Sequence, residues 1–71
     1  MNVNVNQKEI QVFDGATVKD AVLAYDKKAH EFLLKGKLAV RDRFDNLLEN
    51  DGELTSGQLI TIEPTHSDEI H

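Results

Sequence analysis

Three histidines, His30, His66 and His71, are the side chains of this 71-residue chain best suited to metal coordination. Imidazole nitrogens bind zinc when three or four ligands meet at one point. The chain has no cysteine, and no two of its histidines have the i,i+4 spacing of one helical face. His66 and His71 also fall in a polar C-terminal segment that we expect to be frayed, so ordering them would cost entropy. The sequence therefore predicts no metal site and no cofactor.

An acidic segment between residues 42 and 53 is the second group with relevant chemistry. It contains Asp42, Asp45, Asn46, Glu49, Asp51 and Glu53. These residues lack the alternating oxygen ligands and central glycine of a calcium-binding loop. We expect a solvated acidic loop that presents its charge to a basic partner protein.

Catalytic patterns have little support. Ser56 lies in a turn signal with no base placed beside it, so no nucleophilic triad is indicated. Asp14-Gly15 holds a single glycine, which is too few for a phosphate-binding loop. We therefore predict that the protein is not an enzyme.

Charge argues against nucleic acid as a partner. Arg41 and Arg43 are types that contact nucleic acids, but Asp42 and Asp45 flank them. Thirteen acidic and eight basic residues give a net charge of -5, which repels phosphate backbones and favours basic protein surfaces.

Length and composition narrow the class further. A chain of 71 residues forms one small domain and buries only about 60% of its unfolded surface. No apolar run approaches the roughly 20 residues of a membrane span, and the first residues lack the pattern of a signal peptide. We predict a monomeric cytoplasmic protein with a domain at residues 1–64 and a disordered tail at residues 65–71.

The chain begins with the pattern of a β-hairpin. Apolar residues alternate with polar ones over Asn2–Val5 and Glu9–Phe13, which is typical of half-buried strands. The short polar stretch between them predicts a tight antiparallel turn.

A helix is predicted next. Thr17 stands at an N-cap position with Asp20 three residues later, as in a capping box. The buried stripe is predicted to contain Val18, Ala21, Val22 and Tyr25, broadened by Leu23 and Ala24. We expect this helix to end by about Ala29.

The remainder of the chain has the pattern of further strands. Glu31–Lys35 is predicted as a strand with apolar residues on both faces, followed by strands at Leu38–Arg41 and Leu59–Glu63. Asp45-Asn46, Asp51-Gly52 and Ser56-Gly57 are turn signals. Leu54 is expected to pin its loop to the core, and Pro64 is expected to end sheet pairing.

The helix must cover one face of the sheet, because its stripe and the inward strand residues both need to leave water. The inward residues are Val3, Val5, Ile10, Val12, Ile60 and Ile62. On the other face, Phe13, Leu33 and Leu59 form a predicted partner-binding patch. The alternative is that the Phe44–Leu48 segment folds over them.

Three motifs resemble the ThiS/MoaD-like sulfur-carrier family, a branch of the ubiquitin-like β-grasp fold. They are Val3-Asn4-Val5, the helix entry from Asp14 to Asp20, and the Leu54–Ile60 segment before the last strand. The resemblance covers about residues 1–63 and implies an α+β fold, with a mixed sheet of four or five strands and one helix across one face. Gly15–Val18 and the same last strand also resemble TGS domains, which are RNA- or nucleotide-associated modules.

The resemblance to sulfur carriers implies a C-terminal Gly-Gly whose carboxylate is adenylated by an E1-like enzyme and converted to a thiocarboxylate. Glycine suits such a tail because a Cβ would block close approach of the backbone. Here glycine occurs only at Gly15, Gly36, Gly52 and Gly57. We therefore expect that the chain as written is not competent as a sulfur carrier, and no catalytic residue is carried over.

The leading hypothesis is a ThiS/MoaD-like protein that acts by docking to a protein partner, such as an E1-like adenylyltransferase or another basic-surfaced enzyme. The predicted contact residues are Phe13, Leu33, Leu59, Asp42, Asp45, Glu49 and Asp51. One alternative is a sulfur carrier for thiamine or molybdopterin biosynthesis with a truncated or processed tail. The other is a TGS-like RNA- or nucleotide-associated module.

Overall fold

A computed structural model describes residues 1–65 as a mixed five-stranded β-sheet with two α-helices against one face. The elements are β1 (Asn2–Val5), β2 (Lys8–Gln11), α1 (Val18–Tyr25), α2 (Lys27–Leu34), β3 (Leu38–Asp42), β4 (Leu47–Leu48) and β5 (Leu59–Pro64). The strand order is β2-β1-β5-β3-β4, with β1 parallel to β5 and the other pairs antiparallel. The predicted α+β class and mixed sheet are confirmed.

The predicted hairpin is present, although β2 begins at Lys8 and ends before Phe13. Asn6 and Gln7 connect its strands with φ values of 52° and 71°. Positive φ at both central residues is the geometry of a type I′ turn, whose twist matches that of the flanking strands. The turn keeps Val3 opposite Ile10, so that both side chains face the helices.

Helix α1 begins where the sequence predicts. The Thr17 backbone N–H and hydroxyl both donate to Asp20 Oδ2, at 3.0 and 2.9 Å. Both hydrogen bonds lower the pKa of Asp20, and the bond from the Thr17 backbone N–H has the larger effect. Val18, Ala21 and Val22 are buried, but the predicted broadening of the stripe is wrong, because Leu23 and Ala24 are exposed to solvent.

A second helix replaces the strand predicted at Glu31–Lys35. The Asp26 N–H donates to Val22 O at 2.9 Å and ends α1, while its carboxylate accepts from Ala29 N at 3.3 Å and caps α2. Asp26 itself is extended, with φ of -164°, so one residue redirects the chain between two helices. The prediction of a single helix ending near Ala29 is therefore wrong.

The core lies between the helices and the sheet. Its buried members are Val3, Val5, Ile10, Val12, Ala16, Val18, Ala21, Val22, Leu33, Val40, Leu54 and Ile60. Tyr25 and Ile62 pack against it partly buried. Leu54 is buried and its N–H donates to Ala16 O at 2.9 Å, which confirms that it pins its loop to the core.

Strands β3 and β5 each extend one residue beyond the prediction, to Asp42 and Pro64. Thr65, assigned by the sequence to the tail, donates from its N–H to Lys37 O at 3.1 Å and from its hydroxyl to Gly36 O at 3.2 Å. The rest of the predicted tail, with His66 and His71, lies outside the described residues. Neither helix is long and apolar enough to cross a lipid bilayer, a finding limited to residues 1–65.

Candidate interaction surface

The three apolar residues predicted to form one patch lie in three different places. Leu33 is only 4% exposed, because it belongs to α2 and packs in the core. Phe13 follows β2 and is 64% exposed, beside Leu23 and Ala24 of α1. Leu59 is partly buried in β5. The prediction of a shared patch, and of an exposed Leu33, is therefore wrong.

The face of the sheet opposite the helices is mainly polar. Pairing places Asn4 beside Leu59 on this face, and Arg41 between Thr61 and Leu47. Partners in register point to the same side of a sheet, opposite to their buried neighbours Ile60 and Val40. Apolar residues are a minority here, so binding would depend on a few positions.

Arg41 is fixed on this open face by carboxylates from two elements. Its Nε donates to Glu63 Oε2 at 2.6 Å and lies 3.8 Å from Asp45 Oδ1, while Nη1 donates to the Asp45 backbone carbonyl at 3.0 Å. The hydrogen bond to Glu63 is the main cause that raises the pKa of Arg41. Arg41 thus spans β3, β5 and the turn before β4.

Asp42 shapes that turn. Its Oδ1 accepts from the backbone N–H groups of Phe44 and Asn46, both at 2.9 Å. Hydrogen bonds to its carboxylate lower the pKa of Asp42, and the bond from the Asn46 backbone N–H has the largest effect. Asp45 adopts a φ of 67°, which reverses the chain tightly. The turn presents Phe44 at its tip with 75% of its surface exposed.

The sheet groove lies between this turn and the turn before β5. It has a volume of about 360 Å³ and is lined by residues 42–44 and 55–59. An adjoining depression of about 430 Å³ shares Asp42, Arg43 and Leu59 and adds Arg41, Asp45, Thr61 and Glu63. Three predicted site residues, Leu59, Asp42 and Asp45, therefore come together here.

The other predicted acidic residues lie elsewhere. Asp51 pairs with Lys19 of α1 at 3.0 Å, and the hydrogen bond between them raises the pKa of Lys19. The Glu49 carbonyl accepts from Gly52 N–H at 3.0 Å, closing a turn against the start of α1. The predicted acidic loop is thus divided between the sheet groove and the helix layer.

Two residues of this surface were missed by the sequence prediction. Phe44 and Leu47 are 75% and 64% exposed, so the alternative in which their segment covers the sheet is also wrong. The segment instead forms a hairpin at the sheet edge, with Leu48 against the core and Leu47 facing out. The pair Leu47-Leu48 carried this signal, since adjacent residues of a strand point to opposite faces.

The described residues offer no grouping of three metal-binding side chains, although His66 and His71 lie beyond them. Comparison with protein-family models, curated proteins and solved structures finds no match to this chain. Function must therefore be argued from the geometry of its surfaces.

Proposed function

We propose that this chain is a small ubiquitin-like protein, ThiS/MoaD-like in shape, that acts non-enzymatically as a protein-binding module. The strand order β2-β1-β5-β3-β4 supports the proposal, as does the central parallel pair of the first and last strands. Both helices lie between β2 and β3 in the chain and pack on one face, which is where a β-grasp arrangement has its single helix.

The observation that carries the proposal is the exposure of Phe44, which lines the sheet groove, together with that of Leu47 on the same braced hairpin. Single exposed apolar residues are common on protein surfaces, but a largely exposed aromatic side chain at the rim of a groove is a reasonable candidate for an interaction site. Asp42 and Arg41 hold the hairpin through side-chain hydrogen bonds. Because the hairpin backbone is already ordered, binding of a partner would remove little conformational entropy from this segment. Aromatic and arginine side chains are also frequent binding hot spots.

The chemistry of the groove indicates its partner. An apolar side chain of the partner would pack between Phe44 and Leu59, while polar groups of the partner would meet the mixed charges of Arg41, Asp42, Arg43 and Asp45 at the rim. The overall charge of -5 favours partners with basic surfaces at long range. An E1-like adenylyltransferase, or another enzyme with a basic surface, meets this description.

Site-specific photo-crosslinking would test the proposal. A photoreactive phenylalanine analogue at position 44 or 47 should crosslink one defined protein, whereas the same analogue at exposed Lys28 should not. With that protein purified, Phe44→Ala combined with Leu47→Ala should weaken its binding by about tenfold or more. Equal crosslinking from all three positions, or unchanged affinity of the double variant, would contradict the proposal.

A sulfur carrier is the second candidate, because the same strand order is expected of it. Incubation with an E1-like enzyme and ATP, followed by intact mass measurement, separates the two functions. A mass increase at the C-terminus would support the carrier and contradict a purely binding role. An unchanged mass together with a stable complex would support the binding module.

A further inference from the structure

A second groove lies at the β2 edge of the sheet, between the end of β2 and α1. This α1 groove has a volume of about 310 Å³ and is lined by Gln11, Val12, Phe13, Asp20, Leu23 and Ala24. Phe13 and Leu23 are 64% and 45% exposed. None of these apolar residues lines the sheet groove, so the α1 groove is a separate apolar surface.

Hydrogen bonds hold the strand wall of the α1 groove and the turn that joins this wall to α1. The Met1 amino group donates to Val12 O at 2.7 Å and Val12 N–H donates to Met1 O at 2.8 Å, which fixes the strand wall. Ala16 N–H donates to Phe13 O at 3.1 Å and closes the turn that leads to α1. The groove is therefore formed before any ligand arrives, which lowers the entropic cost of binding.

The α1 groove opens at the acidic end of the protein. Carboxylates around the first turn of α1 belong to Asp14, Asp20, Glu49, Asp51 and Glu53, against the two cations of Lys19 and the N-terminus. Asp20 lines the groove, and Asp14 follows Phe13. By contrast, four lysines and two acids occupy the stretch from Asp26 to Lys37. Counting side chains alone, the five carboxylates around α1 against Lys19 leave a charge of -4, out of -5 for the whole chain.

We propose that the α1 groove is a second docking surface and that its occupant is a basic amphipathic segment of a partner protein. Aliphatic or aromatic side chains of that segment pack against Phe13, Leu23 and Ala24. Its lysine or arginine side chains face Asp20 and Asp14. Apolar contact supplies affinity, and charge complementarity selects basic segments over acidic ones.

The probe is a synthetic amphipathic helical peptide of lysine and leucine, about 14 residues or four turns long. Its matched control replaces every lysine with glutamate. Titration into the isotopically labelled chain should shift amide NMR signals of residues 11–14 and 20–24 with the lysine peptide only. Raising salt from about 0.05 M to about 0.3 M should weaken this binding, because the charges involved are exposed.

Paired variants identify the groove. Phe13→Ser combined with Leu23→Ser should weaken lysine-peptide binding by about tenfold, whereas Phe44→Ser combined with Leu47→Ser should change it by less than about twofold. Asp14→Asn combined with Glu53→Gln removes charge without touching the apolar walls, and should also weaken binding. This second pair keeps the test decisive if the first fails to fold.

Three results would overturn the proposal. The first is equal binding of the glutamate peptide, and the second is a shift pattern centred on the sheet groove. The third is absence of binding at about 1 mM peptide, because a docking site of this size should then be occupied.

Discussion

The sheet groove and the α1 groove both place exposed aromatic and aliphatic side chains beside a depression of similar size, but their electrostatic surroundings differ. On the sheet face, Arg41 is bound by Glu63 at 2.6 Å, and charges of opposite sign largely compensate each other. Around the α1 groove, carboxylates outnumber cations. If both surfaces bind as proposed, this difference gives them different partner selectivity, and binding at the α1 groove should depend more strongly on salt.

The largest expected effect is at Leu33 and tests whether α2 packs against the core through this residue. Leu33→Ala should lower the free energy of unfolding by about 2–5 kcal/mol, because it leaves a cavity under α2. The neighbouring Leu34 is exposed in the same helix, so Leu34→Ala should change it by less than about 0.5 kcal/mol. Urea denaturation followed by circular dichroism measures both. Similar losses for the two variants would contradict the helical placement of Leu33.

Leu33 also illustrates where prediction from the sequence stops. The run Phe32-Leu33-Leu34 has no single apolar face, so its pattern fits a strand buried on both sides as well as a helix. The helix forms because Asp26 caps it and because Leu33 finds space beside the core. The second reason depends on the positions of distant residues, which local pattern does not contain.

Features determined by a few adjacent residues were predictable. The contact of Thr17 with Asp20 and the alternation of Val3 and Val5 appear as expected, because capping and strand pleating act over two to four residues. The candidate surface was predictable only in part. Leu59 was placed on the open face from its alternation with Ile60, but Phe13 was misplaced because β2 ends before it.

The start of α1 provides the second prediction, on the acidic side of the molecule. Asp20→Asn should lower the free energy of unfolding at neutral pH by about 1 kcal/mol, because a neutral amide oxygen accepts the Thr17 N–H less strongly than the carboxylate and loses its attraction to the helix N-terminus. The pKa of Asp20 is lowered by folding, so its stabilisation is present above the ordinary aspartate pKa and is lost as pH falls below it. The difference between wild type and variant should therefore shrink on acidification.

Denaturation midpoints measured from about pH 7 to about pH 2 give this comparison. Glu31→Gln is the matched control, because the Glu31 side chain is exposed on α2. Only the backbone carbonyl of Glu31 takes part in the helix end, where it accepts from the Lys35 N–H. A constant difference for Asp20→Asn across this range would contradict the role of its charge.

The third prediction concerns the compensated charges of the sheet face. Arg41→Gln and Glu63→Gln should each destabilise the chain less than the loss of the Asp20 cap, because both partners are partly exposed to water. The double variant should lose less free energy of unfolding than the sum of the two single variants. The difference is the coupling energy of the pair, and it should fall as the salt concentration rises. A double-mutant cycle in urea at two salt concentrations measures it. Additive losses would show that the 2.6 Å contact carries no net stabilisation.

The smallest effect is expected at the β1–β2 turn, which lies outside both grooves. Gln7 has a φ of 71°, a conformation that costs a residue with a Cβ about 1 kcal/mol or more. Gln7→Gly relieves this strain but increases the conformational entropy of the unfolded chain. The free energy of unfolding should therefore rise by about 0.5 kcal/mol. Asn6→Gly should not share the gain, because Asn6 Oδ1 accepts from Ile62 N–H at 2.8 Å and links the turn to β5. Thermal unfolding of both variants measures the contrast. Peptide affinity at the α1 groove should stay constant in Gln7→Gly, since this turn changes stability without touching either surface.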